Sequence, residues 1–211
     1  MIDKMPEIQA DPKELQILHA AGQLYAKYGI KSVTMDDISR HLGISKKTLY
    51  QYVTDKTDLV EKVIMRESME RKKDFDAIYN GKLNAIEELL EVNRFVNKLF
   101  KDYNPSKEYD LQKYYPEIYQ KIRELRRVNM YQASRNNILK GQKQGIYRKD
   151  LDADMISKLH VFRVENLIEF DLFRVEEITS DHFCNELMKY HIYGIANEKG
   201  IKYYNEQLNN Q

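Results

Sequence analysis

Apolar residues recur along most of the chain at the three- and four-residue spacings of an amphipathic helix. In the segment from Asp11 to Tyr28 they fall at i, i+3, i+4, i+7, i+8 and i+11, counted from Ile17. Gly29 ends that segment, and the whole chain has only 8 glycines and 4 prolines to interrupt helices. Alternating apolar and polar positions, which mark strands, are scarce. The pattern predicts an all-α protein of about nine helices.

Two short helices are predicted directly after the first. Thr34 is expected to cap the second helix, and Gly43 to end it. Ser45 is expected to cap a third helix that begins at Lys46. The apolar stripe of the second helix is formed by Met35, Ile38 and Leu42. Two short helices joined by a tight glycine turn and packed on a longer first helix form a helix-turn-helix.

A long fourth helix is predicted from Asp55 to Tyr79, and the chain after it divides into five more. The expected positions are a fifth helix ending before residue 102, a sixth over about 106–114, a seventh from 116 to about 142, an eighth from about 153 with apolar residues as far as 173, and a ninth from about 180. The polar tail after Tyr204 is expected to fray. We therefore predict two domains, residues 1–60 with the helix-turn-helix and a larger helical domain over 61–211, joined by the fourth helix.

The charges of the chain nearly cancel, with 34 Lys and Arg against 33 Asp and Glu, so the net charge of +1 does not by itself indicate a nucleic-acid partner. The segment from Lys31 to Lys56 has five cations and three anions and is mildly basic. The single cysteine excludes a disulfide-stapled secreted scaffold and favours a cytoplasmic location. The longest stretch without a charged residue, Leu15 to Ala26, is too short to span a membrane.

The predicted third helix is rich in groups that bind DNA. Residues 46–52 contain two lysines, a threonine, two tyrosines and a glutamine, which can donate hydrogen bonds to phosphates and base edges. A polar surface helix can have the same composition. The position of this segment, behind a glycine turn and a capped second helix, is what favours DNA binding, because helix-turn-helix proteins place such a helix in the major groove.

A set of matching positions runs from Ile17 to Val63: Ala20, Ala21, Gly29, Thr34, Ile38, Leu42 to Ser45, Thr48 to Tyr50, Lys56 and Leu59. This set resembles the DNA-binding domain of the TetR family of transcriptional regulators and covers about a quarter of the chain. The departures are mild, with Tyr25 where the family usually has Phe, Ser39 where Ala is usual, Lys47 where Gly or Pro is frequent and Val53 where Phe is common. The resemblance implies a homodimeric repressor that binds a palindromic operator and is released by a small-molecule effector.

The resemblance also assigns roles in DNA binding. Thr34 would offer its backbone N–H and hydroxyl to a phosphate, and Lys56 would contact a phosphate from the start of the fourth helix. Gln51 and Lys47 are candidates for base readout, because Gln pairs bidentately with adenine and Lys reaches the acceptors of guanine; each could bind a phosphate instead. The further residues expected to face the groove or the DNA backbone are Lys46, Thr48, Tyr50 and Tyr52.

The same resemblance implies an effector cavity among the helices after the fourth. Its candidate residues are aromatic or polar side chains of that region: Asn93, Phe95, Phe100, Tyr103, Tyr114, Tyr119, Glu165 and Glu169. The alternative is that most of them are ordinary core or surface residues. Glu165 and Glu169 need cations or solvent if they are buried, and either Arg163 or a cationic effector could supply the charge.

The eighth helix has apolar residues nearly all round, so it requires cover that one small domain hardly supplies. The resemblance assigns the last two helices to a four-helix interface between two copies of the chain. The candidate interface residues are Leu159, Phe162, Leu167, Phe183, Leu187, Tyr190, His191 and Gly194.

The chain has no motif typical of catalysis. It lacks a glycine-rich phosphate loop, a G-x-S-x-G elbow, an H-E-x-x-H motif and paired cysteines, so we predict no enzyme activity, no cofactor and no metal site. Two alternatives to a DNA-binding regulator stay open. One is a helical protein-interaction module that keeps the helix-turn-helix but does not bind DNA, and the other is a helical protein that binds small molecules.

Overall fold

The computed structural model describes residues 11–101, 103–167 and 172–209. These residues form helices and no strand apart from one isolated antiparallel bridge between Tyr147 and Ala196. The predicted all-α fold is confirmed. The helices are α1 (Pro12–Tyr28), α2 (Met35–Leu42), α3 (Lys46–Leu49), α4 (Lys56–Tyr79), α5 (Ala85–Lys101), α6 (Pro105–Tyr114), α7 (Pro116–Gln144), α8 (Ala153–Asn166), α9 (Val175–Ile178), α10 (Asp181–Ile195) and α11 (Glu198–Asn209). None of the described helices combines the length and the apolarity that a membrane span requires.

The described residues form eleven helices where about nine were predicted, because α9 and α11 were not expected. We expected the tail after Tyr204 to fray, but it continues as the end of α11. The Oδ1 atom of Asn197 accepts the backbone N–H of Gly200 at 3.0 Å, which caps the start of α11. Tyr204 is buried in the core, so packing holds a segment whose composition alone is too polar to predict a helix.

The eighth helix, α8, is shorter than predicted. It ends at Asn166, whose Nδ2 donates to the carbonyl of Phe162 at 2.6 Å. This side chain satisfies a carbonyl of the last turn, as a capping residue does. Leu172 and Phe173, which we placed on this helix, lie beyond its end. Residues 168–171, among them the predicted effector residue Glu169, lie outside the described residues.

The contacts between residues divide the described chain into two compact units. The first compact unit contains the described residues up to Met69 together with Asn104–Ile122, and the second compact unit contains the others. Helix α6 and the start of α7 therefore belong with α1 to α3. Helices α4 and α7 each contribute residues to both units. The predicted division at residue 60 concerns function rather than contacts, and it stays a prediction.

The core of the first compact unit is built from the apolar faces of α1, α2 and α4. Ile17 and Tyr25 of α1, Ile38 of α2 and Leu59 of α4 are fully buried in it. Burial raises the pKa of Tyr25 far above its ordinary value, so its phenol stays neutral. Leu111 of α6 is buried in the same core, as are two isoleucines at the start of α7, Ile118 and Ile122.

The second compact unit contains a buried polar network. Glu88 of α5 is only 1% exposed, and its carboxylate accepts from Nδ2 of Asn137 at 2.8 Å and from Nζ of Lys140 at 2.5 Å. The hydroxyl of the fully buried Tyr147 lies 3.0 Å from the carbonyl oxygen of Ala85 and 3.1 Å from Oδ1 of Asn137. Because every member has a partner, burial of the carboxylate is compensated, and the network joins α5 to α7.

Candidate nucleic-acid interface

The turn between α2 and α3 is formed by two caps and a left-handed glycine. Gly43 ends α2 at φ +63°, a conformation that favours glycine. Ser45 starts α3, and its Oγ accepts the backbone N–H of Thr48 at 3.0 Å. Leu49 is fully buried and Val53 nearly so, and they attach α3 to the core. The turn and the anchors fix the direction in which the remaining side chains of this segment project.

Helix α3 has only four residues, so Gln51 and Tyr52 lie in the turn that follows it rather than on the helix we predicted. Lys47 and Gln51 are exposed and four residues apart, whereas Leu49 between them is buried. In the part of the chain that the structure describes, neither side chain takes part in a hydrogen bond or an ion pair. Two long polar side chains without internal partners can bind base edges or phosphates without breaking a bond inside the protein.

Four further candidates differ in how accessible they are. Lys46 is exposed and forms an ion pair of 2.7 Å with Asp36, which raises the pKa of the lysine. Tyr50 is 47% exposed and available to a partner. Tyr52 is packed against the core of the first compact unit, so only part of its ring is accessible. Thr48 is half-buried, and its hydroxyl lies 2.8 Å from that of Ser45.

Thr34 is engaged by a neighbouring acid at the start of α2. Its backbone N–H donates to Oδ2 of Asp37 at 2.9 Å and its hydroxyl to the same atom at 2.6 Å, which lowers the pKa of Asp37. The Oγ1 of Thr34 in turn accepts the N–H of Asp37 at 3.2 Å, completing a capping box. A phosphate that took both donors of Thr34 would have to displace the Asp37 carboxylate, because two anions cannot share the two hydrogen atoms.

Lys56, the predicted phosphate contact of α4, is directed at the loop between α1 and α2. Its Nζ donates to the carbonyl of Lys31 at 3.2 Å. Burial lowers the pKa of Lys56, while the nearby Asp110 and Asp37 partly oppose that shift. The lysine therefore holds this loop beside the first turn of α2.

Sequence reasoning missed Asp110, a buried residue of α6 that fixes the same loop. Its Oδ2 accepts the backbone N–H of Lys31 at 2.8 Å. Gly29 has φ +80°, and a Cβ atom there would lie 3.0 Å from that oxygen, so glycine is required for two reasons. The Nδ2 of Asn104 donates to the carbonyl of Ala26 at 2.6 Å, which adds a second hydrogen bond between α6 and the end of α1. The contacts join residues about 80 positions apart, so no local pattern announces them.

The predicted effector residues do not come together at one place. Tyr114 and Tyr119 belong to the first compact unit, whereas the other described candidates belong to the second. There, Phe95 packs edge-on against Phe75, with ring centroids 4.9 Å apart, and Phe100 lies 6.4 Å from Tyr103 in the same way.

Asn93 and Glu165 have different surroundings within the second compact unit. The Nδ2 of Asn93 donates to Oδ1 of Asn185 at 2.7 Å, and both residues line a cleft of about 620 Å³ between α5, α10 and α11. Glu165 pairs with Nε of Arg123 at 2.7 Å and Nε of Arg127 at 2.8 Å, both on α7. The expected pairing of Glu165 with Arg163 on its own helix is wrong, because the carboxylate points to α7 and is satisfied there.

The predicted interface residues include a group of exposed apolar side chains on α8 and α10. Leu159 is 54% exposed, Phe162 64% and Tyr190 72%. Gly194 is exposed too, and a Cβ atom on it would meet nothing within 4 Å. Leu167, Phe183 and Leu187 are half-buried, whereas His191 is buried. Large exposed apolar side chains often mark interaction sites, so these residues remain candidates for the predicted interface.

Two histidine rings of the same two helices, His160 of α8 and His191 of α10, lie against each other with centroids 4.6 Å apart and planes tilted by 38°. The guanidinium of Arg163 lies 3.1 Å from Nδ1 of His160 and stacks on the ring of Tyr190 at 5.5 Å. Burial and the charge of Arg163 lower the pKa of His160 from 6.5 to about 4, and burial lowers that of His191 well below 6.5. Both histidines are therefore neutral in the folded protein near pH 7.

Acidification should destabilise the protein through these histidines. Below pH 6.5 the unfolded chain protonates both histidines, whereas folded His160 stays neutral until about pH 4 and the pKa of folded His191 also lies well below 6.5, so acid stabilises the unfolded state relative to the folded state. From pH 7 to pH 5 we expect the free energy of unfolding to fall by about 2 kcal/mol from His160 alone. Urea unfolding at both pH values measures the fall. The variant His160→Gln cannot titrate there and should show a smaller fall; an equal fall in variant and wild type would contradict the assignment.

Comparison with known proteins identifies the helix-turn-helix. Residues 17–63 match the family model described as bacterial regulatory proteins, tetR family. This segment contains α1, α2, α3 and the start of α4, including the capped turn and the Lys47 and Gln51 face. No curated protein matches the chain.

Solved structures of transcriptional regulators share the fold over nearly the whole chain. A regulator from Cytophaga hutchinsonii aligns with a TM-score of 0.73 at 21% identity, covering 89% of this chain and 100% of its own. The TetR family protein CprB from S. coelicolor aligns with a TM-score of 0.62 at 16% identity, covering 92% of this chain and 95% of its own. The fatty acid degradation regulator FadR from Bacillus halodurans aligns with a TM-score of 0.63 at 16% identity, covering 87% of this chain and 96% of its own. The family model thus matches the helix-turn-helix segment, and the fold along the rest of the described chain agrees with that of these solved regulators.

Proposed function

We propose that the protein is a repressor that binds a palindromic operator as a homodimer and leaves it when a small-molecule effector binds. The observation that carries the DNA-binding part is the exposed pair Lys47 and Gln51, held by the capped turn and without internal partners among the described residues. In a dimer, two such segments must lie about one turn of DNA apart, roughly 34–36 Å, to enter successive major grooves.

Binding to duplex DNA should depend strongly on salt. Lys46, Lys47 and Lys56 of two protomers would neutralise six phosphates, which alone gives a slope of about −5 for log K against log salt concentration. An operator can be selected from a random duplex library, and its affinity compared with that of a random duplex. A flat salt dependence, or no binding at low salt, would favour a protein-interaction module that does not bind DNA.

Two substitutions should separate base reading from positioning. Gln51→Ala removes an exposed amide and should lower the preference for the selected operator over random DNA by about 1–3 kcal/mol. Lys56→Ala should weaken binding to both duplexes by the same factor, because a phosphate contact carries no sequence information. Titration of both variants against both duplexes measures the difference. Identical behaviour of the two would show that Gln51 does not read bases; urea unfolding controls for any loss of structure in Lys56→Ala.

We propose that the effector binds in the second compact unit. The cleft that Asn93 lines is polar: Asn97, Asn185 and Asn205 contribute further amides. Oδ1 of Asn97 is buried and makes no hydrogen bond to a described residue, so it is available as an acceptor. Amide-lined walls suit a small ligand with several hydrogen-bonding groups.

Effector release requires a change that reaches the first compact unit, and α4 is our candidate for carrying it because it contributes to both units. An effector that lowers operator affinity by some factor must itself bind the operator complex more weakly by that same factor. Simultaneous binding with unchanged affinities would exclude this coupling.

A further inference from the structure

A cluster of lysines and tyrosines lies on the surface of the first compact unit, where the loop after α1 meets α6. We call it the lysine–tyrosine patch and define it as Lys31, Tyr109, Lys113 and Tyr114. All four residues are exposed. The patch includes Tyr114, which sequence reasoning assigned to the effector cavity.

The patch is held in a definite geometry by its own contacts. The Nζ of Lys31 donates to the hydroxyl of Tyr114 at 2.8 Å and lies 4.7 Å from the centroid of its ring. The Nζ of Lys113 donates to the hydroxyl of Tyr109 at 2.7 Å and lies 5.6 Å from the ring of Tyr114. The two ammonium groups therefore lie around one aromatic ring, and cation–π attraction offsets part of their mutual repulsion.

The charge of the patch is positive. The carboxylate of Asp110 attracts the ammonium group of Lys31, but this carboxylate is buried and accepts the backbone N–H of the same residue. The hydrogen bonds to tyrosine raise the pKa of both lysines, so both stay protonated. Each ammonium has three hydrogen atoms and gives one to a tyrosine, which leaves donors for an external anion.

The patch is continuous with the surface that the proposed function assigns to phosphates. Lys31 precedes Thr34 by three residues, and its carbonyl accepts the Nζ of Lys56. Asp110 and Asn104 attach α6 to this loop and to the end of α1, so the two lysines keep their positions relative to the helix-turn-helix. A phosphate bound by Lys56 would lie close to Lys31, because the Nζ of Lys56 is in contact with the backbone of that residue.

We propose that the lysine–tyrosine patch is a second contact to the phosphates of DNA, made by α6 and independent of base sequence. The inference rests on the proposed DNA-binding function. It assigns to α6 a direct part in DNA binding, in addition to its part in the core. Charge complementarity and continuity with the helix-turn-helix surface favour DNA over an acidic protein as the occupant.

The salt dependence of DNA binding tests the patch. Two added lysines in each protomer would bring the number of neutralised phosphates from six to ten and the slope of log K against log salt to about −9. The double variant Lys31→Ala/Lys113→Ala should return the slope to about −5 and weaken binding at 0.1 M salt at least tenfold, by the same factor for the selected operator and for a random duplex.

The control is Lys82→Ala/Lys149→Ala, which removes the same charge from exposed positions of the second compact unit. It should keep the wild-type slope. If the patch variant behaves as this control does, while Gln51→Ala still alters sequence preference, the patch does not contact DNA although the proposed function holds. If neither wild type nor variants bind any duplex, the proposed function itself fails. The proposal would also be overturned if the patch variant lost affinity for the selected operator but not for the random duplex. It would be overturned as well if urea unfolding showed that the patch variant loses as much free energy of unfolding as it loses free energy of DNA binding.

Discussion

Replacing Gly141 by alanine should lower the free energy of unfolding by about 3 kcal/mol. A Cβ atom at this position of α7 would lie 2.0 Å from Cδ2 of Tyr147 and 2.4 Å from two more atoms of the ring. No pair of non-bonded carbon atoms approaches so closely, so the ring or the helix must move. Tyr147 is fully buried and its hydroxyl is bonded to α5 and α7, so moving the ring breaks hydrogen bonds as well as packing.

Gly22→Ala is the matched control, since it is also a glycine-to-alanine change within a helix and lies outside the predicted dimer interface. The new Cβ would lie 3.2 Å from Oε1 at the end of the Glu67 side chain and 3.5 Å from Cγ1 of Val63, so we expect the free energy of unfolding to stay within about 1 kcal/mol of the wild type. Urea unfolding at one protein concentration compares the two. Adding Tyr147→Leu to Gly141→Ala should restore part of the lost stability, because the smaller side chain relieves the overlap. An unchanged unfolding midpoint for Gly141→Ala would show that the packing around Tyr147 is looser than described.

The sequence predicted those parts of the fold that depend on neighbouring residues. The caps Thr34 and Ser45 and the glycine Gly43 lie where the pattern predicted them, because a cap and the helix it starts are adjacent in the chain. The exposed face of α3 follows from the burial of Leu49 and the helical period. The spacing of Thr34 and Asp37 is also that of a capping box, so their hydrogen bonds are a local signal that the sequence contains.

Contacts between distant parts of the chain could not be predicted in this way. Asp110 fixes a loop 79 residues away, and an acid on a short helix looks like an ordinary surface residue until the fold buries it. For Glu165, the nearby Arg163 was the expected partner, yet the carboxylate pairs with two arginines of α7. The effector residues were chosen by residue type within a long region, and type alone does not tell which side chains share a cavity.

The second large expected effect concerns the predicted dimer interface and the variant Phe162→Glu. The side chain is 64% exposed in the single chain, so a charge costs little in the folded monomer but would be buried against the partner in a dimer. We expect the variant to be monomeric and to bind the selected operator at least about 100-fold more weakly. The two helix-turn-helix segments would no longer be linked, and the avidity of a linked pair is typically of that size or larger.

The control for this variant is Leu208→Glu on α11, which also adds a charge to the second compact unit at a side chain that is 43% exposed. It should stay dimeric and keep the operator affinity of the wild type. Sedimentation velocity measures the oligomeric state, and titration with operator DNA measures the affinity. If Phe162→Glu stayed dimeric, the interface would lie elsewhere, because an unpaired glutamate buried beside Leu159 and Tyr190 between two protomers would destabilise the dimer. A monomer with undiminished affinity would instead show that one helix-turn-helix is sufficient, and the palindromic operator would then be wrong.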